Sequence, residues 1–499
     1  MRLAPGWAIR AGLLAVLAAP VYAGAQEIGR EAALRLRFPP LEFDPPEPST
    51  HILSNGVRVL HLENRALPLV NIHARFRGGF AHFPRAYYAA ATALPSLLRS
   101  GGTSALPPDS LDALLERYAI STSVGGGGGS SFVSLNTVSR HLDVALELLG
   151  EILKTPRFDL AMVEVWRGQE LESVRRRRDD PGRLAFSEFN RLMFGDHPIG
   201  WEMEAADLEP ADLSREQLEW VYRLVFCPDN LILGVTGDVS WRELSPRLER
   251  LVAGWGACAE PLPRPRPPTI RREPGVFLIE RPLEQSTVVM AHATDVRQRD
   301  DDEFYAARIG NAILGGGGFS SRLTARLRTE RGYAYSASSL WTIHVDHEGI
   351  VGALTQTRSG TTVAAVRMIL GTMEEMTEAP PSRDEVSQVV DQIVSGFVFN
   401  FESPTEIVAR RMLLMAEGRS EDWLERYLEG IQRVTPADIE EVFRRHLRPE
   451  EMVILVLGNT SAMDESLERL GPVTVLEVEG GAGARAATSL PREEQRSPR

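Results

Sequence analysis

Three groupings of side chains in this 499-residue sequence have types and spacings suited to chemistry. The first is LRTERGYAYS (327–336), where Arg328 precedes Tyr335 by seven residues. An arginine presents a planar fork of donors to a carbonyl. A tyrosine hydroxyl stabilises a developing oxyanion. In isolation, the plainer reading is a surface arginine and a half-buried tyrosine. The second grouping holds metal-ligand types. His82 lies in AHFPRA (81–86), and Glu164, Glu170 and Glu172 lie in VEVWRGQELESVRRRRDDP. A lone histidine beside an aromatic is more often a packed side chain than a ligand. Three acids along one helix are ordinarily a solvated face and, without histidine partners, a poor zinc site. HVDHE (344–348) sits between WTI and GIVGAL, an alternating context. That context predicts a strand with His344 and His347 on opposite faces, sharing no metal. The third grouping is two glycine runs, GGGGGSS (125–131) and GGGGFSSR (315–322). Neither ends in the G-K-[ST] of a phosphate loop. The first is expected to replace an ordinary hairpin at a cleft, allowing close backbone approach.

Elements must position these groups. AAATALPSLLRSGGT (89–103) has the apolar spacing of a short helix closed by glycines, with Arg99 its only ionisable side chain. VSRHLDVALELLGEIL (138–153) has a clear apolar helix face. Two longer segments repeat one another: LSREQLEWVYRLVFCPDNLILGVTGDV (213–239) and VTPADIEEVFRRHLRPEEMVILVLGNT (434–460). Each reads as a Ser or Thr cap, an amphipathic helix, a proline, an apolar strand and a glycine turn. Ser214 and Thr435, Pro228 and Pro449, and Gly237 and Gly458 are each 221 residues apart. Gly56 and Gly275 open similar two-strand segments at an offset of 219. A period this long means two homologous domains and not a solenoid. Strands and helices come in blocks, which predicts α+β layers.

Composition bounds the rest. The chain is 43% hydrophobic and 25% charged, with a net charge of -13. That acidic balance argues against a nucleic-acid backbone as partner. The basic run Arg175 to Arg178 is answered at once by Asp179 and Asp180. Arg2 and Arg10, the apolar run AGLLAVLAAPVYA and the following AGAQ read as a secretory signal peptide over 1–25. Export and no membrane span after signal cleavage are expected. An extended lead-in (26–48), a first domain (49–258), a Pro-rich linker (259–274), a second domain (275–478) and a disordered tail (479–499) complete the reading. The two cysteines, Cys227 and Cys258, make no disulfide framework, and their pairing stays open.

The order of LSNGVRVLHLENRALPLV, a Gly-Gly turn, a helix ending in GGT, FGDHPIGW, YRLVFCPDNLILGVTGDV and ILGGGGFSSRLTARLRTERGYAYS resembles the pitrilysin/insulinase/mitochondrial-processing-peptidase family of zinc metallopeptidases. The resemblance spans nearly all of the chain after the leader. It implies two metallohydrolase-like domains, each an antiparallel-rich sheet packed with helices. Catalytic members carry H-x-x-E-H on the helix that ends in GGT, two His binding zinc and the Glu serving as base. Counted back from GGT, those positions are Ala93, Leu94, Pro95, Ser96 and Leu97. Both histidines and the base are replaced. His82 offers no substitute, since Arg85 and Ala86 stand where Glu and His would follow. Glu172 best matches the family's downstream third ligand, as a remnant. Arg328 and Tyr335 match the pair that, in the family, reaches across a closed chamber to the substrate backbone.

The resemblance therefore implies a non-catalytic, substrate-binding subunit, inactive alone, with no catalytic residue and no cofactor of its own. Its expected partner is a chain of similar length carrying H-x-x-E-H and the zinc, and its expected substrate is a peptide. A stand-alone peptide-binding or scaffold pseudopeptidase is the first alternative. An active peptidase using His82 with a carboxylate is the second.

Overall fold

The computed structural model describes residues 45–177 and 179–478. The leader, nearly all of the lead-in and the C-terminal tail read from the sequence lie outside the described residues. Two six-stranded sheets organise the chain. The first contains β1 (Ser49–Ile52), β2 (Arg58–Glu63), β3 (Leu69–Arg77), β4 (Ser121–Gly126), β5 (Ser130–Val138) and β6 (Leu231–Gly237), in the order β1-β2-β6-β3-β5-β4. The second contains β7 (Gly275–Glu280), β8 (Gln285–Thr294), β9 (Ala334–Trp341), β10 (Gly349–Arg358), β11 (Val453–Gly458) and β12 (Val473–Val475), in the order β12-β7-β11-β8-β10-β9.

The inner five strands have one topology in both sheets. β6 pairs parallel with β2 and antiparallel with β3, and β11 does the same with β7 and β8. Only the outermost strand differs, for β1 runs antiparallel to β2 whereas β12 runs parallel to β7. β4 and β9 are the corresponding open edges. This is a two-domain α+β fold, and the 221-residue offset is its signature. Ser214 and Thr435 cap equivalent helices by accepting the N–H of Gln217 and Asp438. Gly237 and Gly458 end β6 and β11.

The helices of the first half are α1 (Tyr88–Ser100), α2 (Pro108–Arg117), α3 (Leu142–Lys154), α4 (Leu160–Arg177), α5 (Pro181–Phe194), α6 (Arg215–Val225) and α7 (Trp241–Val252). The helix read from 138 onward begins later, because Val138 is still the last residue of β5. The second half contributes α8 (Asp302–Asn311), α9 (Thr362–Glu378), α10 (Arg383–Phe397), α11 (Pro404–Ala416), α12 (Trp423–Arg433) and α13 (Pro436–His446). Strand alternation decides which face each sheet buries. On β3, Val70, Ile72, Ala74 and Phe76 enter the first core, against α1, α3 and α6.

The opposite faces are covered by exchange. Leu184, Phe189 and Met193 of α5 pack on Val289, Ala291, Leu455 and Leu457 of the second sheet. Ile407, Val408 and Met412 of α11 pack on Leu60, Leu62 and Ile232 of the first. Each fully buried Leu, Val or Met contributes about 1.5–3 kcal/mol. Each half therefore stabilises the other through one helix.

Residues 259–274 carry no helix or strand, yet Leu262 joins the first core and Ile270 the α5 cluster. Cys227 and Cys258 form a disulfide, Cα atoms 5.1 Å apart, tying the turn before β6 to the start of that segment. Among the described residues no helix is long and apolar enough to cross a membrane.

Candidate functional site

The helix ending in GGT is α1. Its N-terminal alanines and leucines pack inward, and the N–H of Gly101 bonds to the carbonyl of Leu97 at 2.8 Å to close it. Ala93 and Leu97 are both 0% exposed and Leu94 is 1% exposed. Pro95 is inside the helix and buried. It supplies no N–H, and its ring presses on the preceding turn. Ser96 spends its carbonyl on the hydroxyl of Ser100. Positions 93–97 thus present methyl, isobutyl and pyrrolidine groups to a core, plus one hydroxyl. Nitrogen and carboxylate donors, which zinc requires, are missing there.

The other candidate ligands have different partners. His82 Nδ1 donates to the carbonyl of Pro263 at 2.7 Å, and burial lowers its pKa. Arg85 grips Asp207 through two bonds, of 2.9 and 2.6 Å, and lies over the rings of Tyr88 and Trp201. Glu172 is exposed and ion-paired with Arg176 at 2.8 Å, and Glu164 with Arg167 at 2.7 Å. Among the described residues no group of three or more His, Cys, Asp or Glu could hold a metal ion. A zinc centre of the family's kind does not fit this donor set.

The glycine run at 125–129 is the tip of the β4–β5 hairpin. It folds back on the segment before α1, where the N–H groups of Gly78 and Ala81 donate to the carbonyls of Gly129 and Gly128 at 3.0 Å on either side of Gly79. A Cβ there would come 1.8 Å from the carbonyl oxygen of Gly127. Gly126 passes close to the Pro95 ring. The emptied helix and the glycine hairpin therefore fit each other as backbone against ring.

The second half is built differently at its corresponding edge. The run 315–318 turns the chain so closely under β9 that a Cβ on Gly315 would lie 2.2 Å from the N of Ser339. The segment Ala325–Glu330 that follows is a widened, π-type turn, a feature frequent at functional sites. Three arginines leave this region. Arg322 makes two bonds to Glu385, of 2.8 and 3.1 Å, which hold that carboxyl down to about 2. Arg326 is ion-paired with Glu375 at 2.5 Å.

Arg328 has no carboxylate within ion-pair distance among the described residues. Its guanidinium instead lies over two rings, 5.0 Å from Phe319 and 5.2 Å from Tyr335. Such contacts orient a cation without neutralising it. Phe319 is 78% exposed and Tyr335 77%.

Tyr335 also occupies an irregular position. β9 pairs with β10 as Ser336 with Gln356 and Ala334 with Thr357, so Tyr335 is the extra, unpaired residue of a β-bulge. Bulges re-aim a side chain and cluster near active sites. One widened turn and one bulge thus bring Arg328 and Tyr335 together at an open sheet edge. Among the described residues no hydrogen bond, ion pair or ring contact joins this cluster to α1.

HVDHE departs from its expected geometry. These residues form the turn between β9 and β10, not a strand. The rings of His344 and His347 consequently stack, centroids 4.1 Å apart, and do not point to opposite faces. Burial, then the second ring, pushes His344 down to about 4.

Phe319 was not singled out by spacing alone. Its only signal is an aromatic residue set in a glycine turn, where nothing local gives it a core to enter.

Comparison with known proteins adds to this geometry. The family model for the peptidase M16 inactive domain matches residues 212–393. An uncharacterized zinc protease of Streptomyces coelicolor is 27% identical over 331 residues, 64% of this chain and 71% of that protein. The non-peptidase homolog YmxG of Helicobacter pylori is 21% identical over 403 residues, 81% of this chain and 92% of that protein. The crystal structure of a peptidase M16 inactive domain from Pseudomonas fluorescens has a TM-score of 0.73 and 22% identity, covering 84% of this chain and all of that one. At such identity the likeness is one of fold.

Proposed function

We propose that the chain, matched over residues 212–393 by the peptidase M16 inactive-domain model, is a non-catalytic member of that family and the substrate-binding subunit of an exported, heterodimeric zinc peptidase. Arg328 and Tyr335 complete the active site of a partner chain that carries H-x-x-E-H and the zinc. The observation that carries this reading is the state of Arg328. It is a charge left without a carboxylate and braced between two exposed rings, while Arg322 and Arg326 earlier in the turn are paired.

The chemistry follows from the two side chains. A peptide lying along the open edge of β9 gains backbone hydrogen bonds from the strand. The Arg328 fork donates to a carbonyl of that peptide. The Tyr335 hydroxyl donates to the oxygen that gains charge when the scissile carbonyl is attacked. Phe319 gives an apolar surface beside both. The nucleophile and the base for attack would be supplied by the partner's zinc site. Export is supported by the basic, then apolar N-terminal sequence, and by the Cys227–Cys258 disulfide, a bond that persists in oxidising compartments. A stand-alone peptide-binding protein of the same fold is the second reading, favoured by the description of the Helicobacter pylori relative as a non-peptidase homolog.

Affinity purification of the chain from its native host, with metal analysis of the eluate, tests the reading. The expected result is a complex with a second chain of similar length that carries H-x-x-E-H and about one zinc per pair. A zinc-free chain recovered without such a partner would replace this reading with the stand-alone one.

A further inference from the structure

The face of the first sheet under α11 differs from the equivalent face under α5. On β8 that face is Val289, Ala291 and Ala293, packed against α5. On β3 it is Asn71, His73, Arg75 and Arg77, since the alternate residues enter the core. Register adds a third arginine. Arg58 and Arg75 both pair with Ile232, from opposite sides, so Arg58, Ile232 and Arg75 form one row on one face. Arg77 follows two residues along β3 on the same face. These three guanidinium groups line a cavity of about 540 Å³ between the sheet and the C-terminal end of α11. That volume is in the range of small-molecule sites.

None of the three arginines has a carboxylate within ion-pair distance among the described residues. The two acids that line the cavity have other partners. Asp229 accepts the N–H of Cys258 at 2.9 Å, and Glu417 pairs with Arg419 at 3.8 Å while its charge reaches Arg75 without an ion pair. Arg75 is fixed by donating Nη2 to Ser130 Oγ at 3.0 Å, which leaves Nη1 as its donor without a hydrogen bond that is not buried. Arg77 makes one long bond, 3.4 Å, to Asn230. In a chain of net charge -13, a cavity with three such cations is an exception to the general balance.

We propose that this cavity binds a small molecule bearing an oxyanion, a phosphate or carboxylate group held among the guanidinium groups of Arg58, Arg75 and Arg77. Planar guanidinium groups match both anions through paired N–H···O bonds. The site is separate from Arg328 and Tyr335 and does not depend on their role.

Calorimetric titration of the purified full chain with inorganic phosphate and, separately, with citrate tests it, in a chloride-containing buffer of matched ionic strength. Saturable binding of either anion at one site per chain is expected. A response to phosphate alone identifies phosphate compounds as the ligand class, a response to citrate alone carboxylic acids, and a response to both a general oxyanion site. Arg75→Gln should weaken binding about tenfold or more. Arg58→Gln, at an exposed position that folding does not need, should weaken it by about threefold or more. Arg328→Ala should leave it unchanged. No saturable heat with either anion overturns the proposal. So does binding that Arg58→Gln and Arg75→Gln both leave intact, and if Arg75→Gln does not fold, Arg58→Gln alone decides.

Discussion

The two halves share one strand order, yet their equivalent corners do opposite work. In the first half, the corner formed by α1, β4 and the glycine hairpin is closed. Its residues are apolar, buried and packed, and Pro95 and the glycines of 125–129 meet as shapes. In the second half, the corner formed by the turn at 315–330 and β9 is open. Its key residues are exposed, and two irregularities, a widened turn and a bulge, aim them outward. One corner was absorbed into the core, and the other keeps groups that stabilise nothing within the chain. Residues that a fold does not need, held in a conformation that costs regularity, are where function is to be sought.

The contrast predicts opposite consequences for mutation. Leu97→Ala, at a fully buried position of α1, should cost about 2–5 kcal/mol of unfolding free energy. Tyr335→Phe should stay within about 0.5 kcal/mol of wild type. Chemical denaturation of both variants checks this, and equal losses would erase the distinction between the corners.

A sharper version tries to rebuild the missing chemistry. Ala93→His should overpack the core by about 1–3 kcal/mol. The triple change Ala93→His, Ser96→Glu and Leu97→His should yield a chain that binds no stoichiometric zinc, since Pro95 and the hairpin fill the site. A well-folded triple variant with one tightly held zinc would mean that the corner is an intact site lacking only its ligands.

The glycine runs divide in the same way. Gly315→Ala forces the turn away from the Ser339 backbone and should lower stability by about 1–3 kcal/mol. Gly127→Ala meets open space and should change it by less than about 0.5 kcal/mol. Thermal melts of the two variants decide between them.

The smallest effect is electrostatic. Arg322 holds Glu385 down to about 2, from about 4.5. A carboxylate whose folded pKa is depressed adds stability that is complete above its unfolded value and is lost as pH falls through the folded one. The turn bearing Arg328 should therefore loosen between about pH 4.5 and pH 2. The pair is partly exposed, so solvent screening keeps the effect small. Arg322→Gln should flatten that part of a stability–pH profile.

Much of this was legible in the sequence, and the reason is local. Caps, apolar periodicity and proline punctuation are short-range signals. They placed α1, the Ser214 and Thr435 caps and the two repeated cap–helix–strand segments. The loss of donors at 93–97 was legible through the family resemblance, which places the H-x-x-E-H positions by counting back from GGT.

What the sequence did not disclose is set by long-range packing. Nothing near Leu184 or Ile407 says that α5 and α11 cover each other's sheets. Arg58 and Arg75 become neighbours only because β6 inserts between their strands. The alternating pattern around HVDHE continued the strands on both sides and so hid a turn. The cysteine pairing needed the fold to bring residues 31 apart in sequence within reach.

The central claim is that the open corner acts on substrate in a site shared with a partner. Its most direct test is the turnover of a peptide by the reconstituted complex of this chain with an H-x-x-E-H chain, wild type against Tyr335→Phe. The substitution removes one hydroxyl and keeps the ring. The account predicts an assembled, zinc-bearing complex whose kcat falls by about 10²–10³. A Tyr335→Phe complex that assembles and turns over peptide at the wild-type rate would contradict it.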